Sequence, residues 1–370
     1  MGNLVDIDIK MEPGETRSGV QALNPKIFAR YEEGDRRLAY VVIHPANNFM
    51  NHYLIGPLNA RGAGVLALNT RYVGNEAFLI MERAMLDLGA GIRFLRAKGY
   101  RHICLIGNSG GASLAALYQA EAERLTIKTL PDGRALNHGP EDLPPVDSLA
   151  LLAGHPGRAV TLTTRLDASV IDERDLYATD PELDIFDARN KPPFSAEFVA
   201  RVRAAQIARN RRITAWVQAR LREFAGSPGG RTISDQVFPV YRTMADPRFI
   251  DLSLEPNGRT GGTALESDAA ASNYGINATA AVCSLRSWLS QWSYDLSRAN
   301  GPACLARTSV RTLLVHFEQD EIVYPADAQG WAAARPGQCE LHGIPGVGHY
   351  PQRVPGAVDR VADLLQAWAG

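Results

Sequence analysis

Apolar and polar residues follow two rhythms along this chain. At the start, Val5, Ile7, Ile9 and Met11 alternate with Asp6, Asp8 and Lys10, a period of two that predicts a half-buried strand at a sheet edge. From Leu38 onward the apolar runs are nearly continuous: "LAYVVIHPA", "AGVLALNTR", "HICLIGNS", "SLALLAGHP", "VRTLLVHFEQD" and "CELHGIPG". Strands buried on both faces read this way. Between them lie segments with helical spacing, at Glu76 to Arg96, at Ala112 to Leu125 and in the C-terminal "AVDRVADLLQAWAG". Strand and helix in alternation predict an α/β fold with a mostly parallel, doubly wound sheet.

The alternation lapses between residues 158 and 305. That stretch is too long for a loop. It holds "SAEFVARVRAAQIARNRRITAWVQARLREFAG", in which Ser195 is a candidate N-cap and Gly226 a stop, and a second run, "TAAVCSLRSWLSQWSYDLS", that also reads as helical. The expectation is a core in two parts, 1–157 and 306–370, with 158–305 a mainly helical cap or lid inserted between them.

Composition narrows the function. Charged residues are 21% of the chain and the net charge is −1, so no basic footprint for nucleic acid or anionic lipid is present. The first twenty residues carry Asp6, Asp8 and Lys10 where a secretory signal needs an apolar run, and no stretch is long and apolar enough to span a membrane. The expected setting is cytoplasmic, and the expected partner a small-molecule substrate. The oligomeric state stays open, a homodimer among its options. The four cysteines, Cys104, Cys283, Cys304 and Cys339, have no metal-ligand or redox spacing. No metal or cofactor is expected.

The chemistry concentrates at "GNSGG". With 33 glycines in the chain, Gly-x-Ser-x-Gly is easily met by chance, so its position carries the weight. "HICLIGN" reads as a strand and "GGASLAALYQAEAERL" as a helix, which sets Ser109 on a sharp strand-to-helix turn. Such a turn needs small residues two before and two after the serine, and Gly107 and Gly111 meet that need. The Gly110 N–H, at the helix start, faces the place where an oxyanion would form.

A serine nucleophile requires a general base. Of the eight histidines, His349 in "GIPGVGHYPQRVPG" follows the last strand on a turn-rich loop just ahead of the final helix. His44 and His155 also end strands. His52 and His138 lie in polar segments without an aligned partner. For the acid that orients the imidazole, "HFEQDEIV" offers Asp320, which a turn followed by Ile322 and Val323 returns towards the strand end, with Glu318 as the alternative.

In "GNSGG", "HFEQDEIV" and "GVGHYP", and in the order Ser, Asp, His, the sequence resembles the α/β-hydrolase superfamily. The resemblance covers residues 38–157 and 308–370. It implies a nucleophile elbow at Ser109, a catalytic triad completed by Asp320 and His349, and an oxyanion hole whose second backbone donor comes from the loop after an early strand. There this chain has "HPANNFMNHY", in place of the family's His-Gly pair; Pro45 has no N–H, so by position the donor is Ala46, with Asn47 next. Candidate substrate-contacting residues are Asn47, Phe49, Arg71, His155, Trp288 and Trp292; for Arg71 a structural ion pair, and for the tryptophans ordinary packing, are the competing readings. The reaction expected is hydrolysis of a carboxylic ester through an acyl-enzyme. Lactone, thioester or C–C bond hydrolysis, acyl transfer, and ligand binding without catalysis are the alternatives.

Overall fold

The computed structural model describes residues 2–10, 25–226, 233–263, 266–275 and 279–370. The chain divides into two compact units, one formed by 1–157 together with 299–370, the other by 158–298.

The first unit is built on an eight-stranded sheet. Its strands are β1 (Asn3–Asp8), β2 (Lys26–Glu32), β3 (Asp35–His44), β4 (Ala63–Asn69), β5 (His102–Asn108), β6 (Ser148–Leu152), β7 (Arg311–Phe317) and β8 (Cys339–Ile344), in spatial order β1-β2-β4-β3-β5-β6-β7-β8. From β4 across to β8 all neighbours pair in parallel, while β2 runs antiparallel to both β1 and β4. The first strand ends at Asp8; Met11, expected at its end, lies outside the described residues.

The helices of this unit explain the unbroken apolar runs. Successive side chains of a strand point to opposite faces, so a strand covered on both sides has no polar position to spare. Val41, Ile43, Leu66, Leu68, Ile103 and Leu105 turn to one face, where they pack against α2 (Met81–Ala97) and α3 (Gly111–Glu123). Tyr40, Val42, Val65, Ala67, Cys104 and Ile106 turn to the other, under α1 (Ile55–Ala60) and α6 (Ala357–Ala369). The edge strand β8 departs from the expected apolar run, with Glu340, Leu341 and His342 exposed. Two short helices complete the unit, α4 (Gly301–Leu305) and α5 (Pro325–Ala334).

The inserted segment ends earlier than the sequence suggests. The first unit resumes at Ala299, not at 306. The Gly301 N–H donates to the Pro156 carbonyl at 2.6 Å, and Cys304 and Leu305 join the core on the α3 face, which ties α4 to the sheet.

The second unit is organised around the 30-residue helix Ala196–Ala225. Ser195 caps it, its Oγ accepting the Phe198 N–H at 3.1 Å, and Gly226 follows its end. Its apolar stripe, including Ile213, Val217 and Phe224, packs on Leu162, Leu166, Phe238, Trp288 and Trp292. Several arginines of this helix form ion pairs, among them Arg203 with Asp246, Arg209 with Glu173 and Arg211 with Asp295. The run from Thr279 is not helical throughout: Val282–Ser284 forms a strand paired with Val237–Pro239, and the helical turns begin at Leu285. No helix among the described residues is long and apolar enough to cross a membrane.

Candidate active site

Three connections at the carboxyl ends of the parallel strands β5, β7 and β8 bring the site together within the first unit. Ser109 follows β5 and immediately precedes α3. Its backbone sits at φ 54°, a left-handed conformation that costs a non-glycine residue on the order of 1–3 kcal/mol. The turn is held by the Ser109 N–H, which donates to the Leu152 carbonyl at 2.9 Å, and by the Ser109 carbonyl, which accepts from the Ala112 N–H at 3.1 Å.

The close approach of strand and helix explains two of the glycines. A Cβ on Gly107 would stand 2.7 Å from the Ala112 Cα, and one on Gly111 would be driven into the Ile43 carbonyl oxygen. Gly110 is different. Its φ of −60° and ψ of −18° suit any residue, yet a Cβ there would stand 2.7 Å from Nε2 of His44 and 3.0 Å from Nε2 of His155.

The other two members arrive from the last strands. His349, on the loop after β8, places Nε2 3.1 Å from Ser109 Oγ and Nδ1 2.8 Å from Asp320 Oδ2. Asp320, on the turn after β7, is fully buried. Its Oδ1 accepts the N–H groups of Ile322 at 2.7 Å and Val323 at 2.9 Å, which leaves Oδ2 turned to the imidazole. Glu318 is exposed and takes no such position. The neighbouring Glu321 holds the base from behind, accepting the His349 N–H at 3.1 Å.

The loop after β3 corrects the assignment of the second oxyanion donor. The Ala46 N–H donates to Nδ1 of His44 at 3.2 Å, and the Asn47 N–H donates to the same atom at 2.9 Å. Both amides are therefore turned to the histidine of their own loop, and neither is aimed at the serine. Phe49 does lie beside the site, its ring 5.3 Å from that of His44 and 4.8 Å from that of His52.

His52 has a partner that its polar surroundings in the sequence did not suggest. Its Nε2 lies 2.8 Å from Oδ1 of Asn108, the residue before the serine. Tyr53 donates its hydroxyl to the same oxygen at 3.1 Å, and Asn108 donates Nδ2–H to the Leu152 carbonyl at 3.2 Å. Since Oδ1 only accepts, His52 is the donor, and its Nδ1 accepts the Leu54 N–H at 3.3 Å. Burial pushes the His52 imidazole down to about 4, against a smaller upward pull from Asn108. These residues anchor the serine turn from the strand side.

Three further candidates are placed elsewhere. Arg71 forms a buried pair with Asp87, Nη2 lying 2.6 Å and Nε 3.0 Å from Oδ1, and the Arg71 N–H also donates to Oδ2. It is a structural arginine: the strand-end position is shared by site residues and by residues that merely close the sheet. Trp288 is fully buried in the core of the second unit, its indole N–H donating to Thr214 Oγ1 at 2.9 Å. Trp292 packs in the same core beneath the Arg158 guanidinium, 4.3 Å from the ring. His155 remains at the site, buried beside Gly110.

The cysteines offer no rival nucleophile. None of the four is in a disulfide, and burial pushes the thiols of Cys104 and Cys304 up to about 12 and raises those of Cys283 and Cys339, whereas reactivity needs the thiolate. Among the described residues no three His, Cys, Asp or Glu side chains gather as a metal site would.

Solved structures share this architecture. The α/β hydrolase GrgF from Penicillium sp. sh18 superposes with a TM-score of 0.51 at 12% identity, over 99% of this chain and 96% of that one. DcsB, solved in complex with its substrate analogue, superposes with a TM-score of 0.51 at 13% identity, over 100% of this chain and 99% of that one. No protein-family model matches the sequence, and no curated protein matches it.

Proposed function

We propose, on the premise that the chain has the α/β-hydrolase fold, that it is a serine hydrolase cleaving a carboxylic ester of a small or medium organic substrate, a carboxylesterase in type. The observation that carries this reading is the relay from Ser109 Oγ through His349 to buried Asp320, with contacts of 3.1 and 2.8 Å, on a serine held at a strained φ of 54°. A serine that served only to cap a helix would need neither the strain nor the imidazole.

The steps follow from the contacts. Ser109 Oγ attacks the ester carbonyl carbon while its proton passes to Nε2 of His349. Asp320 accepts from Nδ1–H, which fixes the tautomer and stabilises the imidazolium that forms. The Gly110 N–H, at a helix start where the helix itself supplies no acceptor, donates to the oxygen as it becomes negative. Collapse of the tetrahedral adduct breaks the C–O bond, and His349 returns the proton to the departing alcohol. Water, deprotonated by His349, then attacks the acyl-serine, and the acid leaves as Ser109 recovers its proton.

Labelling with a fluorophosphonate, followed by mass mapping, tests the assignment. Ser109 is the expected site, and the Ser109→Ala variant is expected to lose turnover of short-chain aryl esters by about 10⁴-fold or more. Label on another residue, or full turnover in the variant, overturns the proposal. Lactones and thioesters assayed beside the esters rank the reaction classes.

A further inference from the structure

The base is held at two points, and only one of them belongs to the triad. Nδ1 of His349 faces Asp320 Oδ2 at 2.8 Å, while the His349 backbone N–H donates to Oε2 of Glu321, the very next residue, at 3.1 Å. We infer that Glu321 is a positioning residue for the reaction: by holding the backbone of His349, its carboxylate sets the reach of Nε2 to Ser109. The inference rests on the reading of Ser109 as the acylating nucleophile and His349 as its base, and adds to them a residue that touches no reacting atom.

The turn after β7 is the fixed side of this arrangement. Asp320 Oδ1 gathers the N–H groups of Ile322 and Val323, and buried Tyr324 donates its hydroxyl to the Glu321 carbonyl at 3.3 Å. The loop that carries the base holds itself less well. It runs through Pro345, Gly346 and Gly348, with Gly346 at φ 70°. The Gln319 N–H ties it to the acid turn by donating to the Val347 carbonyl at 2.9 Å, and that backbone tie stops two residues short of His349. Oε2 of Glu321 carries it the rest of the way. A backbone N–H on a carboxylate is roughly twice as strong a bond as one between neutral groups, and His349 is 8% exposed, so losing this acceptor would strand the N–H away from water.

Two anchors do what one cannot. A bond to Nδ1 alone fixes one ring atom, and the residue can still turn about that point and carry Nε2 away from the serine. Fixing the backbone nitrogen and Nδ1 together takes that turn away. The contact at stake is the 3.1 Å between Nε2 and Ser109 Oγ, already in the outer part of hydrogen-bond range, where a shift of about 0.5 Å is enough to spoil a catalytic geometry. Gly348 fits the same account. A Cβ there would stand 2.9 Å from Glu321 Oε2, inside van der Waals contact, so the glycine leaves open the passage through which the carboxylate reaches the next N–H. The role involves no proton transfer: Glu321 accepts a hydrogen bond from the backbone, while the imidazole of His349 carries the proton.

Glutamine and alanine at this position separate the hydrogen bond from the charge. In Glu321→Gln the amide oxygen can still accept the His349 N–H; in Glu321→Ala nothing on the side chain can. Sites are counted by the endpoint of fluorophosphonate labelling, so that kcat refers to each labelled Ser109 and a mere loss of folded enzyme does not enter. The expected result is a fall in kcat of about 10 to 100-fold in Glu321→Ala, with KM for a short-chain aryl ester little changed, and a kcat within about threefold of wild type in Glu321→Gln. In an enzyme whose wild-type Ser109 is labelled, a Glu321→Ala kcat within about threefold of wild type, or a Glu321→Gln variant as slow as Glu321→Ala, overturns the inference and leaves the serine mechanism standing. A wild type whose Ser109 takes no label overturns the mechanism itself. The downfield proton resonance of His349 Nδ1–H gives a second reading that does not depend on turnover. It is expected to be sharp in the wild type and in Glu321→Gln and broadened or lost in Glu321→Ala, and an unchanged resonance in Glu321→Ala refutes the positioning role.

Discussion

Nδ1 of His349 and Oδ2 of Asp320 lie 2.8 Å apart, and the aspartate is fully buried with its second oxygen committed to two backbone amides. An acceptor so confined leaves the imidazole one neutral tautomer, with the proton on Nδ1 and the lone pair on Nε2 facing the serine. In Asp320→Asn the amide NH2 competes for that position and favours the opposite tautomer. The expected loss in kcat is about 10⁴-fold, with little change in the thermal midpoint, measured by steady-state kinetics on an aryl ester beside a melting curve. Retention of more than a tenth of the activity would mean that His349 is oriented by something else.

The glycines of the serine turn should fail in different ways. Gly111→Ala forces a methyl into the Ile43 carbonyl and is expected to cost about 1–3 kcal/mol of stability or more. Gly110→Ala keeps an allowed backbone but drives the methyl at His44 and His155. It should stay folded and lose turnover by about 10²-fold. Calorimetry and kinetics on the pair decide the matter: if Gly110→Ala loses stability in place of activity, the space beside it is packing and not a site.

The candidate serine and acid were legible because they follow apolar strands, and the candidate base because it sits on a turn-rich loop after the last strand, although that strand is exposed from Glu340 to His342; the ends of parallel strands are where loops can meet. The same rule misplaced Arg71, since it does not say whether a strand-end side chain turns outward to a ligand or inward to Asp87, sixteen positions along the chain. Trp288 and Trp292 show the equivalent limit for helical spacing, which marks a buried stripe without naming what it is buried in. The Ala46 assignment failed on one side-chain rotation. Whether an amide faces the serine or its own loop depends on where His44 puts Nδ1, and neither composition nor period encodes that. His52 went unread because its partner, Asn108, is 56 positions away; an Asn just before a candidate nucleophile, and a "HPANNFMNHY" loop rich in aromatic and imidazole rings, were the signals available.

The Arg71–Asp87 pair predicts a stability effect without a specificity effect. Its side chains are 7% and 0% exposed, so removing one partner strands a charge away from water. Arg71→Ala is expected to destabilise the protein by about 3–5 kcal/mol, read by chemical denaturation. The ratio of KM values for a carboxylate-bearing ester and its neutral counterpart should not change. A selective rise in KM for the anionic ester would return Arg71 to the substrate site.

His52 predicts the response to acid. Its folded value is about 4 against 6.5 for the free group, chiefly through burial. Between those two values the unfolded chain binds a proton that the folded chain refuses, so protons favour unfolding and stability falls as pH drops from about 6.5 towards 4. The cause is burial of the imidazole, which the hydrogen bond to Asn108 opposes only in part; Nε2–H is committed to Asn108 and Nδ1 accepts the Leu54 N–H. Between pH 7 and pH 5 this one group should remove about 1–2 kcal/mol, before most carboxylates begin to titrate. In His52→Gln the amide N–H can still reach Asn108 but nothing titrates, so denaturant titrations at the two pH values should show a smaller loss by that amount. Because Asn108 directly precedes Ser109, the wild type should also lose fluorophosphonate labelling of Ser109 on the acid side in step with this transition, and equal acid losses in the two proteins would place the sensitivity outside the serine turn.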